Sequence, residues 1–469
     1  MSALSPAIYE SIEISAETTD GSGKTIELNL GVVKINIFED LFSPTITAQV
    51  LVVSSGGAVP TSNKEGESEP DTMDSVYSGL PIRGGERVSI KIANNTDNNL
   101  PIAFNTPDTY LYVSNVSRQF SDGAKELFTL ELVSREAITN ETSRCVKRYS
   151  KTVSISQHVK DIIEEKLAST IPDENIDNTA EGGYGFIGNL KKPFNILVWL
   201  AAKGKPEKGT LPGYFFYQTR EGFKFKAIDR LIEDGKKNPK ATYEEIRFKE
   251  NSQLGTDAND FTILSYNVIQ NNDLLKKLAY GQYSSHIMEF DPLTGYFTTE
   301  EQGRFTLDDT TRQDITFPEN EKTDNVVKTE DVVTLGATPE IPVLLSDDKT
   351  QNLGTLPSRL ITMVADRGTL EFDPTIEKNS NPTRWQRQSY LRYQLLFTQV
   401  LQMVVPLNTN LVAGDVINVK FLKADMEAQE HDRKQSGNYL IKELCHHFDA
   451  NMSLTSLKLV RDTFGEISK

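Results

Sequence analysis

Between residues 25 and 53, apolar side chains recur at every second position. Ile26, Leu28 and Leu30 alternate with polar neighbours; then Val33, Ile35 and Ile37 point one way while Lys34, Asn36 and Phe38 point the other. Period two predicts half-buried strands, with a turn over Asp40–Pro44 and a return strand over Thr45–Val53. Further strands are predicted at Arg87–Ile92 and in a hairpin from Tyr110–Phe120 to Glu126–Ser134. That hairpin turns at Ser121-Asp-Gly-Ala124, where glycine suits a tight connection. After Glu136 the period changes. Val159, Ile162, Ile163 and Leu167 share one helical face, so a helix is expected over His158–Leu167, capped by Ser154 or Ser156. A second is expected over Phe194–Ala202, with Pro193 at its start. Tyr214–Gln218 and Phe223–Ala227 read as a hairpin around Arg220-Glu-Gly222. Strands return at Phe261–Ile269 and Lys276–Phe290. Pro382–Leu396 reads as a helix with Trp385, Ser389, Arg392 and Leu396 at helical spacing, and Val400, Gln402 and Val404 alternate into a strand ending at Pro406. Ser54–Ser78 and Glu181–Gly188 read as loops, and the acidic, Thr-rich stretch Thr299–Asn379 as an irregular insertion.

The front and back of the chain carry similar patterns. Gly85-Glu-Arg-Val-Ser-Ile-Lys-Ile92 is followed by Tyr110-Leu-Tyr-Val113, Phe120, Thr129-Leu-Glu-Leu-Val133 and Arg135. Gly414-Asp-Val-Ile-Asn-Val-Lys-Phe421 is followed by Tyr439-Leu-Ile441, Phe448, Ser456-Leu-Lys-Leu-Val460 and Arg461. The Gly-to-Tyr spacing is the same in both, 25 residues, and later matches slip by one or two. An internal repeat of this kind predicts one β-domain present twice. Residues about 20–140 form one copy. Residues 255–300 with 396–465 form the other.

At 469 residues, 38% apolar and 25% charged, the chain has room for several globular domains. The net charge of −16 excludes an overall basic nucleic-acid binder, because phosphate contacts supply most of such affinity. Cys145 and Cys445 are too few and too distant in sequence to be paired from spacing. Met1–Glu10 lacks the basic and apolar regions of a signal peptide, and no apolar run approaches a membrane span.

Candidate chemistry is sparse. Gly21-Ser-Gly-Lys-Thr25 resembles the tail of a phosphate-binding loop, but Thr18 stands where the first glycine belongs and a strand follows, so a turn is expected. His446 and His447 are neighbours on a strand and point to opposite faces, so they do not chelate one ion. Glu164-Glu165 and Asp308-Asp309 read as solvated carboxylates rather than an acid–base pair. The aromatics Tyr214, Phe215, Phe216, Tyr217, Phe223 and Phe225 suit either a stacking platform for a sugar or base, or the cover of a core. No catalytic residue, cofactor or metal ligand is assigned, and an enzyme is not expected.

Three segments carry a resemblance: Ile35-Asn-Ile-Phe-Glu-Asp-Leu-Phe-Ser-Pro44, Leu80-Pro-Ile-Arg-Gly-Gly-Glu-Arg-Val88, and the tail from Ser436-Gly-Asn-Tyr-Leu-Ile-Lys442 through Leu457-Lys-Leu-Val-Arg-Asp462. They are similar to the baseplate hub proteins of contractile-tailed bacteriophages. The resemblance implies a mainly β chain with α+β insertions. Its parts are a first β-barrel tube domain over 1–142, an α/β insert over 143–238, a second barrel over 239–305 and 396–469, and an acidic insertion with a helix over 306–395. It also implies a homotrimeric, pseudo-sixfold ring in the virion tail. That ring joins the sixfold tail tube to a trimeric central spike, meets tape measure and baseplate wedge proteins, and passes DNA through its lumen without specific binding. The whole-chain charge leads us to expect a negative lumen wall. Two alternatives remain at this stage: an adaptor or spike of a related contractile injection system, and a glycan-binding tail module.

Overall fold

The computed structural model describes residues 2–16, 24–55, 82–122, 125–180, 183–207, 211–246, 260–270, 273–291, 383–423 and 430–463, with short pieces at 59–60, 73–74, 76, 295–297, 304–306, 334–336, 353, 357–364, 379 and 465. Most of the expected loop Ser54–Ser78, most of the acidic stretch Thr299–Asn379 with Asp308-Asp309, and residues 21–23 of the glycine turn lie outside them.

The first part supplies strands β1 (Ile8–Ala16), β2 (Lys24–Glu27), β3 (Val32–Asp40), β4 (Thr47–Ser55), β5 (Arg87–Ala93), β6 (Ile102–Phe104), β7 (Leu111–Asp122) and β8 (Lys125–Ser134). Their alternation is the one read from the sequence except at Leu30 and Val33, which are exposed: the register shifts between Val32 and Lys34, and Val32 is buried instead. Ile35, Ile37, Val50, Val52, Leu130 and Leu132 are buried in one core, while Asn36 and Gln49 sit opposite each other on the other face. The insert follows with helices α1 (Arg135–Thr142), α2 (Ile155–Leu167) and α3 (Pro193–Lys203), hairpin strands β9 (Tyr214–Thr219) and β10 (Gly222–Ala227), and helix α4 (Ile228–Lys237). Ser154 caps α2, its Oγ accepting the Gln157 N–H at 3.3 Å. Pro193 occupies the first turn of α3, where its missing N–H costs nothing. Helices α1 and α4 are additions to the sequence reading.

The remaining elements include β11 (Thr242–Glu244), β12 (Ser265–Gln270), helix α5 (Leu274–Ala279), β13 (Ser284–Asp291), β14 (Arg359–Val364), helix α6 (Thr383–Leu395), and β15 (Gln399–Pro406), β16 (Val416–Lys420), β17 (Gly437–Asp449) and β18 (Ser453–Arg461). The expectation of one strand over Lys276–Phe290 is corrected. Asp273 caps the Lys276 N–H at 3.0 Å, and the good helix formers Leu274–Ala279 coil behind it. Only Ser284–Asp291 is extended, and it pairs in parallel with β14 in a separate small sheet rather than with β12.

The chain is mainly β with an α/β insert, and among the described residues its main sheet has 14 strands. The strand order β3-β4-β8-β7-β5 in the first part is matched by β12-β15-β18-β17-β16 in the last, and the strand that follows differs in direction, β1 lying antiparallel on β5 and β11 parallel on β16. The match extends to single bonds. Gly85 and Gly414 both have φ +92°, a conformation that favours glycine. The Gly85 N–H donates to the Val113 carbonyl at 2.7 Å, and the Val113 N–H returns to the Glu86 carbonyl at 2.9 Å. The Gly414 N–H donates to the Ile441 carbonyl at 2.9 Å, and the Ile441 N–H returns to the Asp415 carbonyl at 2.8 Å. The acid after each glycine accepts the backbone N–H three residues earlier, Glu86 from Arg83 at 2.6 Å and Asp415 from Val412 at 3.1 Å. Both copies carry a bulge just after this point, at Ser114 and at Lys442.

These bonds refine the repeat. Val113 corresponds to Ile441, so Leu111, not Tyr110, stands where Tyr439 does, and Ser134, not Arg135, stands where Arg461 does. A one-residue slip between glycine and strand made the tyrosine spacing coincide. Phe120 and Phe448 do not correspond either: a further register shift between Leu127 and Thr129 sets Phe120 opposite Leu127, the place His447 takes opposite Leu454.

Candidate assembly interface

The two copies are joined edge to edge. The C-terminal half of β17 lies antiparallel on β3, from Glu443 opposite Asp40 to Asp449 opposite Lys34. In this way Phe448 and Leu407 of the second copy enter the core of the first. The Tyr9 hydroxyl donates to the Phe448 carbonyl at 3.2 Å. Alongside, Asn99 donates to the Leu407 carbonyl at 2.9 Å and accepts the Thr409 N–H at 3.2 Å, while Asn410 donates to the Asn98 carbonyl at 2.6 Å. On the face away from the cores, Lys442 reaches Asp40 at 3.3 Å, His447 pairs with Asn36 at 2.5 Å, and Lys458 reaches Glu443 at 3.1 Å.

Glu39 ties three parts together. Its place in the strand alternation, in phase with Ile35 and Ile37, points it inward. One carboxylate oxygen accepts the Arg220 N–H from the insert hairpin at 2.9 Å, and the other accepts the Ala413 N–H beside Gly414 at 2.9 Å. Burial pushes its pKa up to about 7, against the lowering pull of those two N–H groups and the Arg220 charge. The insert then packs its hairpin between two cores. Tyr214, Phe216, Phe223 and Phe225 face the insert's own helices, whereas Phe215 and Tyr217 join Ile228, Val416, Leu440 and Val460 against the second copy. All six rings are buried, so the hairpin covers cores on both faces and offers no open stacking platform.

Helix α6 locks this junction from outside. Arg392 is buried, its Nε 2.6 Å from Asp229 and its Nη1 2.8 Å from Asp462. Burial alone would lower its pKa, but the two carboxylates outweigh that and hold it above the usual range. Trp385 donates its indole N–H to the Lys203 carbonyl at 3.1 Å. Glu39, Asp229 and Asp462 were missed in the sequence. The available signal was an acid in the buried phase of a strand, and an arginine on the apolar face of α6.

His446 and His447 point to opposite faces, as strand geometry requires. His446 is buried between Thr455 Oγ1 at 3.1 Å and the Leu411 carbonyl at 3.3 Å, and burial depresses its pKa to about 3. Glu165 faces Lys147 at 2.5 Å on an exposed helix surface. Cys145 lies in the insert core and Cys445 on β17; both are free thiols. Among the described residues no three His, Cys, Asp or Glu side chains group as metal ligands, and no helix is long and apolar enough to cross a membrane.

No family model matches the chain, and no curated protein matches it. Solved structures similar to it include phage tail and secretion-system proteins. A tail protein from Neisseria meningitidis MC58 is 10% identical, with 97% of this chain and 96% of that chain covered at a TM-score of 0.48. The 43 kDa tail protein of prophage MuSo2 from Shewanella oneidensis is 10% identical, with 97% and 98% covered at 0.47. The E. coli c3393 protein, a component of the type VI secretion system, is 8% identical, with 94% and 76% covered at 0.41.

Proposed function

We propose that this chain is a structural baseplate hub of a contractile phage tail, in which three copies close into a pseudo-sixfold ring. One observation carries the reading: a single strand order occurs twice in the chain, and its two copies are joined side by side through β3 and β17. A heterologous contact repeated around an axis closes a ring when the rotation permits. Three chains with two copies each place six similar units around that axis. The ring then offers sixfold-like contacts to a tail tube protein and true threefold contacts to a trimeric spike, with tape measure and wedge proteins as further partners in the virion tail. The role is scaffolding, with no catalytic residue, cofactor or metal assigned.

In this reading the face turned away from the cores lines a channel for DNA. Across the joined strands it carries Asp40, Glu131, Glu443 and Asp449 against Lys34, Lys125, Lys442 and Lys458. A wall at charge balance, rather than the negative one expected from the whole-chain charge, releases few counterions on contact with DNA and does not hold it. Native mass spectrometry of the purified chain tests the assembly. A trimer is expected, and a monomer at every concentration overturns the reading.

A further inference from the structure

We infer that the seam between the first copy and the insert binds a neutral, hexose-sized sugar, in the cavity beside the hairpin turn Thr219–Gly222. Nothing in this depends on the ring. The cavity measures about 200 Å³. Its walls come from distant parts of the chain: Ile46 and Phe104 from the first copy, Ser134 and Glu136 at the start of α1, Pro172 after α2, and Phe223 from the insert hairpin.

Three features of the lining select the ligand. The first is charge balance. Four ionisable side chains of opposite sign line the cavity, Asp108, Glu136 and Glu221 with Arg220, and each already has a counter-charge. Glu136 lies 3.3 Å from Arg135, which also reaches Asp108 at 4.0 Å. Glu221 pairs with Lys224 at 2.7 Å, and the Arg220 charge acts on Glu39. A charged ligand would displace one of these pairs or enter without a partner, and an unpaired charge in a partly buried site is costly. A neutral ligand leaves all of them in place.

The second is unused hydrogen-bonding capacity. Glu136 is 2% exposed and accepts from Gln218 Nε2 and Arg135 Nη2, both at 3.3 Å, which is long for bonds to a carboxylate. An ionised carboxylate has about four acceptor sites, so capacity is left over. Arg220 Nη1 is buried without a hydrogen-bond partner. Thr219 Oγ1 accepts the Glu221 N–H at 3.2 Å, which leaves its own hydrogen to donate. Buried polar groups in this state call for a further partner. That partner must both donate and accept, as a sugar hydroxyl does.

The third is the mix of surfaces. Thr109, Tyr110, Ser169 and Thr170 add hydroxyls on the side toward solvent, while the buried Ile46, Phe104, Leu111 and Phe223 give an apolar floor. A pyranose is amphipathic in the same way, with hydroxyls round its rim and C–H groups on its faces. Small-molecule sites combine apolar walls with a few placed polar groups. Water alone is the competing occupant.

Ligand-observed NMR on the full chain separates the two, with glucose, galactose and N-acetylglucosamine as probes. At least one should bind saturably, with a dissociation constant in the millimolar range expected for about 12–15 non-hydrogen atoms in a small cavity. Thr170→Trp, at an exposed position on the solvent side, fills the entrance and should weaken binding at least about tenfold without changing the thermal melt. Glu136→Gln keeps the shape, removes the acceptor's charge and should also weaken binding about tenfold. It decides alone if Thr170→Trp does not fold. Lysine and glutamate, charged probes of similar size, should not bind. No saturable binding of any of the three sugars up to about 100 mM, sugar binding that the folded Thr170→Trp chain retains in full, or charged probes that bind as tightly as the sugars overturns the inference and leaves the ring standing.

Discussion

Replacing Arg392 by methionine keeps the length of the side chain and removes the charge that Asp229 and Asp462 share. Both carboxylates are at most 1% exposed. Each keeps one backbone donor, the Leu211 N–H at 2.9 Å for Asp229 and the Leu335 N–H at 2.9 Å for Asp462. Neither donor neutralises a buried charge. Removing one partner of a buried ion pair costs about 3–5 kcal/mol, roughly a thousandfold in the docking equilibrium of α6. Tryptophan fluorescence reads this directly, since the chain has two tryptophans and Trp199→Phe leaves Trp385 alone on the helix concerned. With m near 2 kcal/mol per molar urea, the Trp385 transition should fall by about 2 M. The triple variant Arg392→Met/Asp229→Asn/Asp462→Asn should recover more than half of that loss, because no buried charge then lacks a partner. A loss below about 1 kcal/mol in the single variant, or a triple variant worse than the single, refutes the reasoning.

Glu39, with its pKa raised from 4.5 to about 7, adds stability that is full below the unfolded value and is lost as pH rises through 7. Between pH 5 and 8 the wild type should lose about 2–3 kcal/mol relative to Glu39→Gln in urea melts, and parallel curves would count against this. His446 works in the opposite direction: lowered from 6.5 to about 3, it stabilises above 6.5 and the gain is lost as pH falls toward 3. His446→Asn should flatten the acid limb by about 3 kcal/mol between pH 7 and 4, and an unchanged limb would remove the histidine from the account. Gly85→Ala, with open space around the added methyl, should cost about 1–2 kcal/mol from φ alone. Gly414→Ala should cost clearly more, since its methyl would lie 2.5 Å from the Tyr217 hydroxyl; equal melting temperatures for the two variants would contradict this.

The strands were legible because one face of each is buried, so alternation along Lys34–Phe38 or Thr129–Val133 records the core directly, whereas the shift between Val32 and Lys34 put Val33 on the wrong face. Helices α2, α3 and α6 were legible from caps and spacing for the same reason. Helices α1 and α4 were not: α1 carries almost no apolar face, and α4 follows the hairpin without a side-chain cap. The repeat was visible, but its register was not. A shared bulge and a one-residue slip are backbone features, and matching tyrosines hid them. Glu39 shows the other limit. An acid in the inward phase can be seen in a sequence, but not which N–H groups from the insert and the second copy will meet it. Strand geometry separated His446 from His447 but did not say which of them faces the core; it is His446, so even a replacement of similar size should disturb the barrel.

Imaging the purified assembly down its axis by electron microscopy tests the central claim most directly. The expected view is a ring with a central hole, whose inner layer has sixfold rotational power from the repeated sheets and whose periphery has threefold power from one insert per chain. A monomer, a closed particle without a hole, or a ring built from any other number of chains would contradict it.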